Sequence, residues 1–455
     1  MMAESAPRES SGVSGDQLRA LLGGWLTLLL GAYEAFLPLI VLPVALAYFE
    51  PPTLPAVVRV TLVNLVFALS VVASPVGGLL IGPLGDRVGR RRVLVITNVA
   101  YAVSAVIITI LPGFKTWGYA SIALLLFLRL ATGAFATAGG GGVVVAFERS
   151  RQHLRGLIGG ILGVSGTTAI ILLSGLTAWI TAVVPLPAYV AWAWHIPFYV
   201  GSALALVDLW VVSRIREVEY FTSHRPARRA TLRQLVTPRY RRAFIQGLIL
   251  YTGYFLTVDA VVGFMPSLLE TFLHEPPSGV STMVLLGNVA ILVFGIAMGA
   301  ISQRIGRRLA LALGGAWILV VAIPLYYFLI RAAAGHAPFA TVAALGVATS
   351  VFAVVPFSGM VITYLAERFP LNIRATAVSA IGGLGIVVPG FYTFYLLGLS
   401  HLLPYQYTVL VLVGIGGALT LGAMALGPET RHVDILAVEE AEAAPSAAVT
   451  EEPVS

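Results

Sequence analysis

Four charged side chains interrupt apolar stretches of the sequence that are long enough to cross a membrane. They are Glu34, Arg129, Asp208 and Asp259. A charged group at mid-membrane costs about 2.5–3.5 kcal/mol on insertion scales, so it normally faces a partner or an aqueous cavity. Arg129 stays cationic and offers a planar fork that fits a carboxylate, whereas Glu34 and Asp259 can bind and release protons. We therefore predict that Arg129 binds a substrate and that Glu34 and Asp259 are proton-coupling residues.

Each of these charges has a structural alternative. Arg129 could be fixed to a neighbouring helix, and Glu34 or Asp259 could form a permanent ion pair with it. Asp208 lies nearer the cytoplasmic end of its stretch, six residues before Arg214, and a structural role is favoured there.

Further polar side chains fall in the same apolar stretches. Tyr251, Phe255 and Asp259 recur at a four-residue spacing, which puts them on one face of a helix. A helix-packing stripe explains this spacing equally well. Asn288 and Asn64 could line the same chamber or donate hydrogen bonds between helices. The predicted substrate-binding residues are Arg129, Tyr251 and Asn288.

These side chains must be positioned by elements that lie in a membrane. Of the 455 residues, 58% are hydrophobic and only 11% are charged, and the mean hydropathy of +0.91 excludes a soluble globule. The apolar stretches have roughly the 20 residues needed to cross about 30 Å of hydrocarbon, and they are continuous rather than alternating, which favours helices over a β-barrel. Twelve spans are predicted, at 21–47, 57–83, 92–112, 118–147, 156–184, 194–213, 243–271, 281–301, 307–330, 338–366, 375–400 and 404–427.

The arginines and lysines define the predicted topology, because short cytoplasmic loops collect them. With both termini in the cytoplasm, only Arg59, Lys115 and Arg331 lie outside, and Arg129 lies within a span. We attribute the net charge of +7 to membrane insertion and expect no nucleic-acid partner. The chain has no cysteine and its seven histidines are dispersed, so neither a disulfide nor a metal or other cofactor is expected. The predicted location is the plasma membrane.

Two halves of the chain are predicted to insert the same way up. A basic linker at 214–242, with nine arginines, separates a six-span bundle at 21–213 from a second one at 243–427. Cytoplasmic tails at 1–20 and 428–455 flank the bundles, and we expect the second tail to be partly disordered because it is acidic and poor in apolar residues. An internal repeat supports the two halves, since the segment 82–91 recurs at 299–308.

The loop between predicted spans two and three carries glycines, one aspartate and several arginines. Its glycines permit a tight turn, Asp86 could pair with Arg90 four residues on, and Glu148 at the inner end of span four is a second partner. We interpret this loop and its repeat as a cytoplasmic gate, formed by Gly82, Asp86, Arg87, Gly89, Arg90, Glu148, Arg155, Arg304, Arg307, Glu367 and Arg374. The alternative is that the loop arginines anchor to anionic lipid headgroups. Because Gln303 replaces the second aspartate, we expect only the N-terminal half to keep a charged lock.

Several motifs resemble those of a known family. The segment 82–94, GPLGDRVGRRRVL, is similar to the loop signature of the major facilitator superfamily, and Arg129 with Gly133 resembles its RxxxG motif in the fourth helix. The segments 148–156 and 367–376 are similar to its metabolite:proton symporter branch. The resemblance implies an all-α membrane protein with twelve transmembrane helices in two six-helix bundles related by a pseudo-twofold axis.

The same resemblance implies a secondary active transporter rather than an enzyme. It implies proton-coupled symport of a small organic acid or zwitterionic metabolite by alternating access, with the substrate, protons and the lipid bilayer as partners of a monomer. Two departures leave the substrate open: the chain has Thr137-Ala138-Gly139 where the branch usually has Gly-Gly-Glu, and Glu34 where it has an aspartate. An exporter or proton antiporter of amphipathic compounds and a non-transporting membrane sensor are the alternatives.

Overall fold

The computed structural model describes residues 15–51, 53–88, 90–135, 155–214 and 232–433. Within these ranges the chain folds into helices and connecting turns, without strands. Ten helices there are long and apolar enough to cross a membrane, and two shorter apolar helices, Asn98–Thr109 and Tyr119–Ala134, lie in the predicted third and fourth spans. The predicted all-α architecture is confirmed.

The N-terminal half contributes six helices, labelled α1 to α6. Their bounds are α1 Gly15–Ala45, α2 Ala56–Val88, α3 Arg90–Thr109, α4 Tyr119–Phe135, α5 Arg155–Gly163 continued by Ser165–Val183, and α6 Leu186–Ala188 continued through a π-turn at Tyr189–Ala193 to His195–Arg214. Glu34, Arg129 and Asp208 therefore lie on α1, α4 and α6.

The C-terminal half contributes α7 to α12, and several of these helices are interrupted. Helix α7 runs Arg241–Val258, then through a π-turn at Asp259–Gly263, a short segment at Phe264–Ser267 and a second π-turn at Leu268–Phe272. The others are α8 Pro277–Ile305, α9 Arg307–Trp317 and Ile323–Ala334 joined by a π-turn at Ile318–Ala322, α10 Phe339–Val354 and Met360–Arg368, α11 Leu371–Gly385, Val387–Gly390 and Tyr392–Leu399, and α12 Tyr405–Leu426.

Helix α10 is broken near its middle. A 3-10 turn at Val355–Phe357 separates its two segments, and Gly359 follows with φ = 74°, in the left-handed region that favours glycine. The break brings the second segment of α10 against α5. A Cβ on Gly359 would overlap the backbone of Gly160 and would lie 2.5 Å from the carbonyl oxygen of Gly159. Backbone therefore packs directly on backbone between the two halves.

Contacts between the halves occur towards both ends of the bundle. On the side where α5 begins, Leu162 of α5 packs with Ala366 of α10. On the opposite side, Leu39 of α1 lies against Gly263 of α7, and the Tyr392 hydroxyl on α11 donates a hydrogen bond to the side-chain oxygen of Asn64 on α2. Asn64 thus joins the two halves as an acceptor rather than as the predicted donor, and its Nδ2 atom donates to the Val60 backbone oxygen within α2.

Large apolar side chains remain exposed on the outside of the bundle. Val320 and Leu426 are each 73% exposed, and Phe127 and Trp179 are 63% and 62% exposed. Soluble monomers rarely expose so many large apolar groups. These surfaces therefore suit contact with lipid, as expected for a multi-pass membrane protein.

Candidate functional site

Arg129 and Glu34 meet inside the N-terminal bundle. The Nη2 atom of Arg129 donates hydrogen bonds to the backbone oxygen of Glu34 (2.7 Å) and to the Ser70 hydroxyl on α2 (3.2 Å). The Nη1 atom lies 3.8 Å from Glu34 Oε2. Arg129 is 1% exposed and Glu34 is 2% exposed. The alternative that Glu34 pairs with Arg129 is therefore the arrangement observed.

The spacing of Arg129 and Gly133 has a local packing reason. These residues lie one turn apart on α4, and a Cβ on Gly133 would overlap the backbone of Ser70. Only glycine lets α4 approach α2 this closely, and the approach brings the Arg129 guanidinium within reach of the Ser70 hydroxyl. The motif thus supplies the cation, Arg129, and also the glycine that lets the cation reach α2.

The second oxygen of Glu34 remains open. Glu34 Oε1 is buried and has no hydrogen-bond partner among the described residues. It faces Gly201 of α6, where an added Cβ would lie 2.7 Å from Oε1. A carboxylate with one oxygen toward a guanidinium and the other unpaired can accept a proton, and the proton would weaken its attraction to Arg129.

Asp208 is bonded across three helices. It accepts hydrogen bonds from the Thr27 hydroxyl on α1 (3.1 Å) and from the Asn98 amide on α3 (3.0 Å). These bonds tie α1, α3 and α6 together near their ends. The geometry therefore supports the structural role favoured from the sequence.

Asp259 lies at the start of the first π-turn of α7. It is fully buried, and neither of its carboxyl oxygens has a hydrogen-bond partner in the described part of the chain. The ion pair with Arg129 that the sequence left open is not formed there, since Arg129 is bonded to Glu34 and Ser70. Its predicted role in proton coupling stays a prediction.

Tyr251 belongs to an aromatic group beside the break in α10. The group comprises Tyr251, Tyr254 and Phe255 of α7 and Phe357 of α10. Ring centroids lie 5.0 Å apart for Tyr251 and Phe255, 4.9 Å for Tyr254 and Phe255, and 5.2 Å for Tyr254 and Phe357. The three α7 side chains are half-buried. Several aromatic faces close together can hold a cationic group. Sequence reasoning missed Tyr254 and Phe357, because helix spacing does not show which neighbouring helix lies opposite.

Asn288 is buried on α8 and is turned towards its own helix. Its Nδ2 atom donates to the Val284 backbone oxygen at 2.9 Å. The preceding residue, Gly287, lies against Ser350 of α10. Asn288 and Tyr251 are thus not joined by any hydrogen bond described here, and substrate binding by Asn288 stays a prediction.

The predicted N-terminal gate falls largely on residues whose side chains are not described. Gly89 and Glu148 lie outside the described residues. Gly82, Asp86 and Arg87 lie in the last turns of α2, and Arg90 and Arg155 are the first residues of α3 and α5. Helix α2 thus ends at Val88 and α3 begins at Arg90, and both the predicted tight turn and the proposed lock stay predictions.

The C-terminal half keeps a charged cluster, which corrects the expectation that Gln303 would abolish one. Arg307 is fully buried, and its Nη2 atom lies 3.3 Å from Glu367 Oε1. The Thr430 hydroxyl donates to the other Glu367 oxygen at 2.7 Å, and Gln303 accepts a hydrogen bond from Arg307. Glu367 thus supplies the carboxylate that Gln303 lacks, and the cluster joins α8, α9, α10 and the segment after α12.

Two other predicted gate residues, Arg374 and Arg304, make different contacts from the Arg307–Glu367 ion pair. Arg374 is buried, and its Nε atom donates to the Phe369 backbone oxygen at 3.1 Å. Arg304 is exposed, and its backbone oxygen accepts a hydrogen bond from Arg431. Arg304 therefore contributes backbone rather than side chain to the contacts described at this face.

Glu429, in the segment after α12, caps the N-terminus of α9. Its carboxylate accepts hydrogen bonds from the backbone amides of Arg307 (2.8 Å) and Arg308 (3.1 Å), and also from those of Thr430 and Arg431. Partial burial acts to raise the pKa of Glu429, but these four amides outweigh it, and the pKa lies below its usual value. No sequence pattern indicates this contact, since 122 residues separate Glu429 from Arg307.

Replacing Glu429 by glutamine is expected to lower the thermal stability of the purified protein at pH 7, by an amount typical of a lost helix cap, about 1 kcal/mol. Because the folded-state pKa is depressed, the carboxylate stabilises the fold above its unfolded pKa and loses this effect as the pH falls through the folded value. The difference between wild type and variant should therefore shrink on acidification. Melting curves at several pH values measure it, and a pH-independent difference would contradict the charge-based explanation.

Comparisons with known proteins agree with this architecture. The sequence model of the Major Facilitator Superfamily matches residues 24–388. A proline/betaine transporter of Escherichia coli (strain K12) is 28% identical over 341 residues, which cover 71% of this chain and 66% of the transporter, slightly less than two-thirds of its length. A glycine betaine/proline/ectoine/pipecolic acid transporter of Dickeya dadantii is 24% identical over 71% of this chain and 66% of its own. The solved structure of the proton:xylose symporter XylE superposes with a TM-score of 0.72 at 16% identity, covering 93% of this chain and 98% of that one, and so supports the fold.

Proposed function

The chain belongs to the major facilitator superfamily, and from that premise we propose that it is a proton-coupled symporter of a small zwitterionic metabolite. It is a multi-pass membrane transporter and not an enzyme. The proposal extends this to the coupling ion, the substrate class and a monomer that works by alternating access in a plasma membrane with both termini in the cytoplasm. The observation that carries it is the buried pair of Glu34 and Arg129.

The pair is suited to proton coupling because its two partners respond to one proton. Ionised Glu34 attracts Arg129, which also holds the Ser70 hydroxyl on α2. A proton on the open Oε1 atom would neutralise Glu34 and leave Arg129 held by neutral oxygens only. The balance among α1, α2 and α4 then changes, and α1 and α2 carry contacts of the N-terminal half with α7, and α2 also with α11. Protonation would in this way favour one arrangement of the halves over the other.

The substrate class follows from the aromatic group of Tyr251, Tyr254, Phe255 and Phe357. A cation against aromatic faces gains about 0.5–2 kcal/mol, and quaternary ammonium groups are typical ligands of such sites. Relatives are named for transport of betaine, which has a quaternary ammonium group, and of proline and ectoine, which are also zwitterions with a cationic nitrogen group. A zwitterion such as glycine betaine would present its ammonium group to these rings. Because Arg129 is bonded to Glu34, we assign it to coupling in preference to substrate binding, and Asn288 is left as a secondary substrate contact.

Alternating access would use the contacts between the halves. The hydrogen bond from Tyr392 to Asn64 would close one side, and the packing of Gly359 on Gly160 would close the side that the predicted topology places in the cytoplasm. Opening either side requires its contact to separate while the other holds. The N-terminal loop with Asp86 and the cluster around Glu367 would then stabilise the cytoplasmic side when it is closed.

Uptake into proteoliposomes tests this function directly. Radiolabelled glycine betaine, proline, citrate and shikimate are supplied outside, with and without an inward proton gradient. We expect uptake of the zwitterions to rise several-fold with the gradient. When an ionophore dissipates the gradient, uptake should fall to the rate measured without one. Gradient-independent uptake would reject symport, and preference for the organic acids would move the substrate to the other class.

Replacing Tyr251 by alanine should raise the KM for the zwitterion about fivefold, since it removes about 1 kcal/mol of contact with the cation. Replacing Tyr327 by alanine is the matched control, because Tyr327 lies on α9 with 38% of its surface exposed and packs on Tyr407. Equal effects of the two substitutions would contradict a substrate role for the aromatic group.

A further inference from the structure

The outer half of α7 carries a line of polar side chains with buried oxygen atoms that the coupling pair does not use. Asp259 and Ser267 are fully buried, and Glu270 and Thr271 follow near the end of the helix. In the part of the chain that is described, five atoms of this line have no hydrogen-bond partner: both carboxyl oxygens of Asp259, the Ser267 hydroxyl, Glu270 Oε2 and the Thr271 hydroxyl. Buried polar atoms are rarely left unpaired. The line is therefore suited to water or to a mobile ion.

Two widened turns carry the acids of this line. Asp259 opens the first π-turn of α7, and Glu270 lies in the second. Such turns are uncommon and occur frequently at functional sites. With about 1.5 Å of rise per residue, the two carboxyl groups lie roughly 15 Å apart along the helix, and Ser267 lies between them. One acid is thus near the end of α7 that the predicted topology places outside, and the other is deeper in the membrane.

The line runs along the boundary between the halves. The π-turn that holds Glu270 packs on α1 and α2 of the N-terminal half. The titratable group facing Glu270 is Tyr189 of α6, whose hydroxyl donates to the Val41 backbone oxygen. The titratable groups around Asp259 are tyrosines: Tyr254 on α7, Tyr392 on α11 and, facing Tyr392, Tyr326 and Tyr405. No basic side chain in the described ranges neutralises either acid.

A carboxylate buried without a cation is costly, whereas a protonated or hydrated carboxyl is tolerated. We propose that Glu270 and Asp259 are two stations of a proton path that enters the C-terminal half from the outer side. A proton from external water binds the Glu270 carboxylate. Glu270 releases it to water along the Ser267 hydroxyl, the Asp259 carboxylate accepts it, and Glu270 returns to its ionised form.

This path rests on the proposed symport, and the test separates the two. Proteoliposomes containing wild type, Glu270→Gln, Asp259→Asn or the control Glu275→Gln are compared in two assays. One measures glycine betaine uptake driven by an inward proton gradient. The other measures exchange of labelled for unlabelled glycine betaine without a gradient, which needs no net proton movement. We expect Glu270→Gln and Asp259→Asn to lower gradient-driven uptake about tenfold and to keep exchange, and Glu275→Gln to keep both.

Four outcomes decide the matter. Gradient-driven uptake by Glu270→Gln equal to that of the Glu275→Gln control overturns the path. If Glu270→Gln loses exchange as well, Glu270→Asp is added: recovery of both activities supports an acid at this position, and continued loss overturns the path in favour of a structural role. Wild-type uptake driven by sodium instead of protons also overturns it. Wild-type uptake driven by no gradient refutes the proposed symport itself.

Discussion

Replacing Arg129 by alanine is expected to abolish gradient-driven uptake and to destabilise the protein by about 3–5 kcal/mol, the cost of leaving a buried charge unpaired. Glu34 would keep its burial but would lose the guanidinium 3.8 Å away, and Ser70 would lose a hydrogen-bond donor. Uptake and exchange in proteoliposomes measure the first effect. Thermal melting in detergent measures the loss of stability. If the variant took up substrate at the wild-type rate, Arg129 would have no part in the mechanism.

The matched variant is Glu34→Gln, which keeps the shape of the side chain and imitates the protonated acid. We expect it to lose gradient-driven uptake and to keep exchange, because only the proton step is removed. The double variant Glu34→Gln with Arg129→Gln should be more stable than Arg129→Ala, since no unpaired charge remains. If Arg129 instead contacted the substrate, Arg129→Lys would lose exchange while Glu34→Gln kept it.

The sequence predicted the helical fold and the charges buried in it well, but it predicted the rotation of each helix about its axis poorly. Continuous apolar stretches of about 20 residues identify membrane-spanning helices. The interruptions at Glu34 and Arg129 identify buried charges, because inserting a charged side chain into a membrane is costly unless it faces a partner or a cavity. Whether Arg129 pairs with Glu34 or Asp259 depends on which way each helix faces. Asp259 begins a π-turn that shifts the register of α7, and no four-residue spacing could show this.

Contacts from distant segments were also beyond sequence reasoning. Because Gln303 replaces an aspartate, the sequence predicted that the second loop has no carboxylate partner for its arginines. In the structure, Glu367 of α10 pairs with Arg307, and Glu429 after α12 accepts a hydrogen bond from its backbone amide. The sequence does not single out Glu270, because it lies at the end of a predicted span, where acids are common. Only the burial of its Oε2 atom and the packing of its π-turn on α1 and α2 distinguish it from an ordinary loop acid.

Replacing Gly359 by alanine is expected to block uptake while leaving the two bundles folded. At φ = 74° a Cβ costs about 1–2 kcal/mol in backbone strain, and this one would also overlap Gly160 across the boundary between the halves. The overlap can be relieved only if α10 moves away from α5, so the cytoplasmic side should remain open.

Because the chain has no native cysteine, one introduced at Ala366, which is 2% exposed, reports on that opening. We expect faster labelling of this cysteine by a water-soluble maleimide and loss of uptake, with a melting temperature near that of the control Gly398→Ala, where no atom lies within 4 Å of an added Cβ. Labelling and uptake that match this control would show that the cytoplasmic side closes without the close packing of Gly359.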